Sequence, residues 1–160
     1  LGSNLPGQYA ASEDLLEAAL LALDAAGLHV VLRSAWWLSA AWPDPSDPPF
    51  LNGVALVEST LLPGDILEAL HDIEALFGRR RGETNAPRTL DLDLIAHGRT
   101  RASAPALPHP RAHDRRFVMG PLAEIAPEWI HPVLGVSALE LSTTATVGRD
   151  AKPREESPGQ

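Results

Sequence analysis

The chain has 160 residues, 44% of them hydrophobic, and a formal net charge of −8, which is enough for one well-buried core and short for two. No apolar run approaches the roughly 20 residues that cross a bilayer, the start Leu1-Gly2-Ser3-Asn4 is not a charged stretch followed by an apolar one, and no cysteine is present for a disulfide, a thiolate metal site or a thiol nucleophile; the expectation is a soluble, cytoplasmic monomer with one domain over residues 1–147. The acidic balance opposes non-specific binding to nucleic acid or anionic membrane, so a polyanionic ligand needs a local site.

Gly2-Ser3-Asn4 and the following Leu5-Pro6-Gly7 read as a small polar turn in which glycine permits close backbone approach. Ser12 is placed to cap a helix with Glu13 and Asp14 in its first turn and an apolar stripe of Leu16, Ala19, Leu20 and Leu23, ending near Gly27. Residues 28–39 are rich in Val, Leu and Trp without helical period and predict a strand. Four prolines in the eight residues 42–49 predict an exposed loop. Residues 50–59 predict a second strand, with Asn52 as a polar side chain near its loop end, suited equally to a turn or to a site.

Pro63 suits the first turn of a helix whose stripe of Ile66, Leu70, Ile73 and Phe77 stops at Gly78. Glu74 lies at the border of that stripe, where a glutamate more often faces solvent. Arg79, Arg80, Arg81 and Arg88 then stand against Glu83 alone, a basic island in an acidic chain.

Pro87-Arg88-Thr89-Leu90-Asp91-Leu92-Asp93-Leu94-Ile95 follows. As a strand it has Leu90, Leu92 and Leu94 on one face and Asp91 and Asp93 on the other, with the carboxylates roughly 7 Å apart along the chain. A half-exposed strand with acidic outward positions is the plain reading of such a pair. Aspartate is disfavoured in strands, however, and two on one face need a compensating cation. The nearby guanidinium groups are suited to phosphate.

Downstream, Leu107-Pro108-His109-Pro110 holds an imidazole between two prolines, with Arg111, His113, Arg115 and Arg116 behind it. Apolar packing resumes over residues 117–122 and at Ile125, residues 129–134 read as loop, residues 137–145 as a short helix, and residues 148–160 as a polar, disordered tail. The order is α-β-β-α-β, and a strand ending at Leu1 makes it β-α-β-β-α-β, a ferredoxin-like α/β (α+β) core with helices on a largely antiparallel sheet.

In order and spacing, Gly2-Ser3-Asn4, Pro49-Phe50-Leu51-Asn52, Glu74 with Gly78-Arg79-Arg80-Arg81, Ala86 through Asp93, and Leu107-Pro108-His109-Pro110 with Arg115 and Phe117-Val118 closely resemble the 6-hydroxymethyl-7,8-dihydropterin pyrophosphokinase family over about residues 1–130. The resemblance implies transfer of the β,γ-diphosphate of ATP to the hydroxymethyl group of a reduced pterin, with release of AMP, in folate biosynthesis. It implies that Asp91 and Asp93 hold two magnesium ions, that Arg79 and Arg88 act with them in catalysis, and that Glu74, Arg79, Arg88, His109 and Arg115 bind ATP. It further implies a pterin site of Phe50, Asn52, Asp91 and Phe117, the two rings sandwiching the heterocycle, and small molecules rather than nucleic acid or membrane as partners. The chain departs from many members in having Trp37-Leu38-Ser39-Ala40 for Tyr-Arg-Thr-Pro and Asn85-Ala86 for Trp-Gly. Residues 78–87 are expected to be mobile without nucleotide and to close as a lid. Three other readings stand beside this one: a nucleotidyltransferase using similar metals, a non-catalytic ferredoxin-like binding module, and, third and disfavoured by the acidic charge, RNA binding.

Overall fold

The computed structural model describes residues 1–41, 44–78 and 89–155. Strand β1 (Gly2–Ser3) leads into helix α1 (Ser12–Ala25), which buries Leu15, Leu16, Ala19, Leu20 and Leu23. Ser12 is its first helical residue; the cap position belongs to Ala11, which makes no side-chain cap bond, so Glu13 and Asp14 near the dipole's positive end are what favour this terminus. At the other end Gly27 takes φ +84°. Leu28 N–H donates to Leu23 O at 2.9 Å and Gly27 N–H to Asp24 O at 3.2 Å, a Schellman closure whose apolar residue, Leu28, is fully buried.

Each of the two expected strands divides in two. Residues 28–39 give β2 (His29–Arg33) and β3 (Trp37–Ser39), and residues 50–59 give β4 (Phe50–Asn52) and β5 (Ala55–Glu58). The breaks face each other. Ser34 N–H donates to Val54 O at 2.9 Å, and Val54 N–H donates to Ser34 Oγ at 3.0 Å. A Cβ on Gly53 would meet the Trp36 ring at 2.5 Å, so the bend needs glycine there. Alternation alone could not show this, because the Trp36 ring reaches Gly53 only after the strands have paired.

Helix α2 (Pro63–Leu76) starts with proline at its N-terminus and buries Ile66, Leu70 and Ile73. Beyond the basic segment, residues 89–95 do not form the expected strand ladder. Asp91 makes a single antiparallel bridge with Gly2, and the next backbone donor, Leu92 N–H, goes to Glu74 Oε2 at 2.9 Å instead of to a neighbouring strand. The alternation still holds, with Leu90 and Leu92 buried and Asp93 exposed.

A short hairpin of β6 (Ala102–Ser103) and β7 (Ala106–Leu107) precedes a single 3-10 turn (Ala112–Asp114) and helix α3 (Arg116–Ile125). Helix α4 (Ala138–Thr144) is capped by Ser137 Oγ, which accepts Glu140 N–H at 3.2 Å. The last element is β8 (Lys152–Pro153), paired with β3. Residues 148–155 are therefore ordered and not the expected tail. Arg154 N–H donates to Trp36 O at 2.8 Å, its guanidinium pairs with Glu13, and Ala151 is buried. Residues 156–160 lie outside the described residues.

Among the described residues the named strands pair antiparallel: β1-β4-β3-β8 form one sheet, and β2-β5 and β6-β7 form two pairs. This is an α+β fold consistent with a ferredoxin-like core. On one face Leu51, Leu90 and Leu92 join the buried stripes of α1 and α2. On the other, α3 lies close to β3. A Cβ on Gly120 would stand 2.5 Å from the Trp37 ring, while Glu124 accepts Trp37 Nε1–H at 3.2 Å and Ala35 N–H at 2.6 Å.

Candidate active site

The register of the sheet builds the site. Gly2 pairs with Asp91 on one side and Asn52 on the other, and Asn52 in turn pairs with Trp37. Residues directly opposite in antiparallel strands share a face, so Asp91, Gly2, Asn52 and Trp37 form one row on the α3 face. Phe50 is two residues from Asn52 and lies on the same side, opposite Ser39. The missing side chain at position 2 leaves room between the carboxylate and the amide. That room is tight, since a Cβ on Gly2 would come within 2.7 Å of Asn52 Oδ1. Asn52 Nδ2 donates to Ser39 Oγ at 3.3 Å, which answers the turn alternative: Asn52 is a strand residue whose side chain is partnered on the site face.

The second half of the site comes from the segment before α3. His109 N–H donates to Ile95 O at 2.8 Å, placing the imidazole beside the acidic segment. Burial pulls the His109 pKa down; Asp93 opposes this, Arg115 and Arg111 reinforce it, and Asp91 opposes it. Both carboxylates and two guanidinium groups thus act on one ring. His109 Nδ1 accepts Arg111 N–H at 3.1 Å, so the neutral ring carries its proton on Nε2 and keeps that donor. On the same side of the site, Leu1 N donates to Gly53 O at 2.8 Å.

Phe117 stands in the first turn of α3, half-buried, with the Arg115 guanidinium carbon 5.7 Å from its ring centroid. Gly148 underlies it: a Cβ there would meet the ring at 2.6 Å, and φ is +69°. That segment, expected to be a free tail, thus packs against a candidate site ring. Glu74 is not solvent-facing; it is 2% exposed and bonded to Leu92 N–H. Arg79 and Arg88, with Arg80 and Arg81, lie outside the described residues, as does most of the expected lid, residues 79–87.

Among the sequence candidates, Asp91, Asn52 and Phe50 share one face, and Asp93, Asp91 and Arg115 lie within electrostatic reach of His109. Sequence reasoning left out Ser39, a hydroxyl in a run of Trp and Leu, and Gly148, whose only signal was its place in a polar tail. A separate cleft of about 460 Å³ runs along β5 and touches Asp93, but Phe50, Asn52, His109, Arg115 and Phe117 do not line it. Its walls are mainly apolar, with Leu56, Ile66, Leu94 and Trp129 among them.

Among the described residues no group of three or more His, Asp or Glu side chains could by itself hold a metal. Two carboxylates on one side of an open segment do fit magnesium, which commonly takes one or two carboxylates and completes its shell with phosphate oxygens and water. Carboxylates able to take a cation, beside guanidinium and imidazole donors able to take an anion, are the groups that metal-dependent phosphoryl-transfer sites use.

The sequence profile of the family described as 7,8-dihydro-6-hydroxymethylpterin-pyrophosphokinase matches residues 1–127. The chain belongs to this family. A 2-amino-4-hydroxy-6-hydroxymethyldihydropteridine pyrophosphokinase of Synechocystis is 42% identical over 118 residues, covering 72% of this chain and 60% of the relative. One of Methylorubrum extorquens bearing the same name is 38% identical over 133 residues, 81% of this chain and 82% of the relative. A mitochondrial folate synthesis bifunctional protein of Pisum sativum is 32% identical over 109 residues, 67% of this chain and 21% of that protein.

Proposed function

We propose that the chain transfers the diphosphate of ATP to the hydroxymethyl group of 6-hydroxymethyl-7,8-dihydropterin, releasing AMP, as a step of folate biosynthesis carried out by a cytoplasmic monomer. The observation that carries this reading is the row Asp91-Gly2-Asn52 on the α3 face, with Phe50 beside it and His109 held next to the acidic segment by its bond to Ile95 O. Family membership supplies the reaction class.

In this reading the pterin ring stacks on Phe50 and Phe117 and its polar edge meets Asn52, as flat heterocycles are held elsewhere by aromatic faces and a few directed hydrogen bonds. Neutral His109 donates from Nε2 to a phosphate oxygen, and Arg115 adds a charge-assisted bond. Asp91 and Asp93 hold magnesium, two ions by the resemblance, and when bound the metal offsets charge on the transferring group and on the attacking hydroxyl. The hydroxyl oxygen bonds to the β-phosphorus and its proton passes to water as the bond from that phosphorus to the α-phosphate oxygen breaks; AMP leaves with the bonding pair. Arg79 and Arg88 belong to the same phosphate grip.

Product analysis with ATP, magnesium and the pterin tests the proposal. AMP and a diphosphorylated pterin in equal amounts are expected. ADP would indicate single phosphoryl transfer, pyrophosphate a nucleotidyltransferase, and no turnover together with no metal-dependent nucleotide binding an inert module; each outcome would reject it.

A further inference from the structure

We propose that Glu74 is a positioning residue for the metal site, acting through the backbone between Asp91 and Asp93 and not by contact with ATP. This deepens the reading above and rests on the assignment of metal to those two aspartates.

Helix α2 turns the stripe Ile66, Leu70 and Ile73 into the core, and the next residue on that buried side is a carboxylate, only 2% exposed. A leucine there would extend the stripe without the cost of desolvating an anion, so packing does not account for glutamate. Its Oε2 accepts Leu92 N–H at 2.9 Å, within the core. Leu92 is the residue between the two aspartates, and its own side chain is buried. Asp91 is held from the other side, where its N–H and C=O exchange two bonds of 2.9 Å with Gly2.

The acidic segment is therefore fixed at two successive residues by two different elements, β1 at Asp91 and α2 at Leu92. Asp93 follows the second of these and is exposed. A magnesium ion tolerates little error in the placement of its ligands, and the bond to Leu92 sets the direction in which the chain enters Asp93. Groups that orient metal ligands without touching the metal commonly change affinity by about 10- to 100-fold when removed.

The test measures Mn2+ binding, by the electron paramagnetic resonance signal of free Mn2+, in the presence of ATP carrying a methylene between its α- and β-phosphorus. It is run well below each variant's melting temperature. Glu74→Gln keeps an oxygen acceptor for Leu92 N–H and should hold Mn2+ within about threefold of wild type. Glu74→Leu removes the acceptor, and Glu74→Asp keeps the charge but withdraws it by one methylene; both should weaken Mn2+ binding by about 10-fold or more. If Leu at 74 prevents folding, the Gln and Asp variants carry the comparison.

Wild-type Mn2+ affinity in the Asp variant would overturn the proposal, because the role would then not depend on reach. Equal losses in the Gln and Asp variants would also overturn it, by assigning the effect to charge and length alike. A fall in melting temperature with unchanged Mn2+ affinity would mark Glu74 as merely structural. Asp91→Asn and Asp93→Asn are the controls for the underlying reading: if neither weakens Mn2+ binding, the metal assignment itself fails, whatever Glu74 does.

Discussion

Asp91 and Asp93 owe their placement to their neighbours. Leu90 is fully buried and Leu92 nearly so, and burying each leucine is worth about 1.5–3 kcal/mol, so alternation turns the aspartates away from the α1 and α2 face. Removing one carboxylate should leave this packing intact. Asp91→Asn and Asp93→Asn should each reduce kcat/KM by on the order of 100-fold or more, comparable to deleting a group that stabilises transition-state charge, with little change in melting temperature. Near-wild-type activity in either variant would reject the metal assignment. Phe117 is the other residue whose proposed role separates two ligands. Phe117→Ala removes a stacking face worth roughly 1–3 kcal/mol and should weaken pterin binding more than ATP binding, both read by calorimetry. Equal losses would place the ring outside the pterin site.

Among the elements, α3 decides the shape of the site, because it carries Phe117 at its start and rests on β3 through Gly120. The atoms a Cβ at position 120 would meet, at 2.5 and 2.7 Å, belong to the Trp37 indole, a rigid ring that is itself buried. Gly120→Ala should therefore move α3 off the sheet, destabilising the fold by about 1–3 kcal/mol, the usual cost of overpacking. It should also weaken pterin binding by displacing Phe117. A denaturant midpoint and a pterin titration on the same variant check both; a wild-type midpoint would show that the indole yields without cost. Strand β8 makes a related point: residues that look like a polar tail are held because β3 offers them an edge and Glu13 offers Arg154 a partner.

For the whole molecule, pH links the site to stability. Burial is the leading cause that lowers the pKa values of His109 and His131 from the ordinary 6.5. His131 is buried, its Nδ1 accepts Val133 N–H at 3.2 Å and Leu134 N–H at 3.0 Å, and its ring meets the edge of His113. A group with a lower pKa in the folded state binds fewer protons there than when unfolded, so its contribution is complete above 6.5 and is lost as pH falls through the folded value. Melting temperature should fall between about pH 7 and pH 5. The fall should be smaller in His131→Asn, which keeps an acceptor for the turn but does not titrate. The same pH dependence in that variant would clear His131 of the effect.

The sequence by itself determined the two main helices, the position of the Asp-Leu-Asp alternation and the family, because each of these is set by local periodicity or by a contiguous run of residues. It also placed a helix near residues 137–145, found as Ala138–Thr144. Only the tertiary structure decided where the long strands break, because Gly53 and Trp36 are 17 positions apart in the numbering and meet only across the paired strands. The same holds for the burial of Glu74: its position on the helix is local, but its partner, Leu92, comes from a segment 18 residues away. The site row is likewise a matter of register, since Asp91, Gly2 and Asn52 become neighbours only when three separate stretches of backbone exchange hydrogen bonds. Periodicity fixes which way a side chain faces along its own element; which other side chains it faces depends on pairing and packing between elements, and those are long-range contacts.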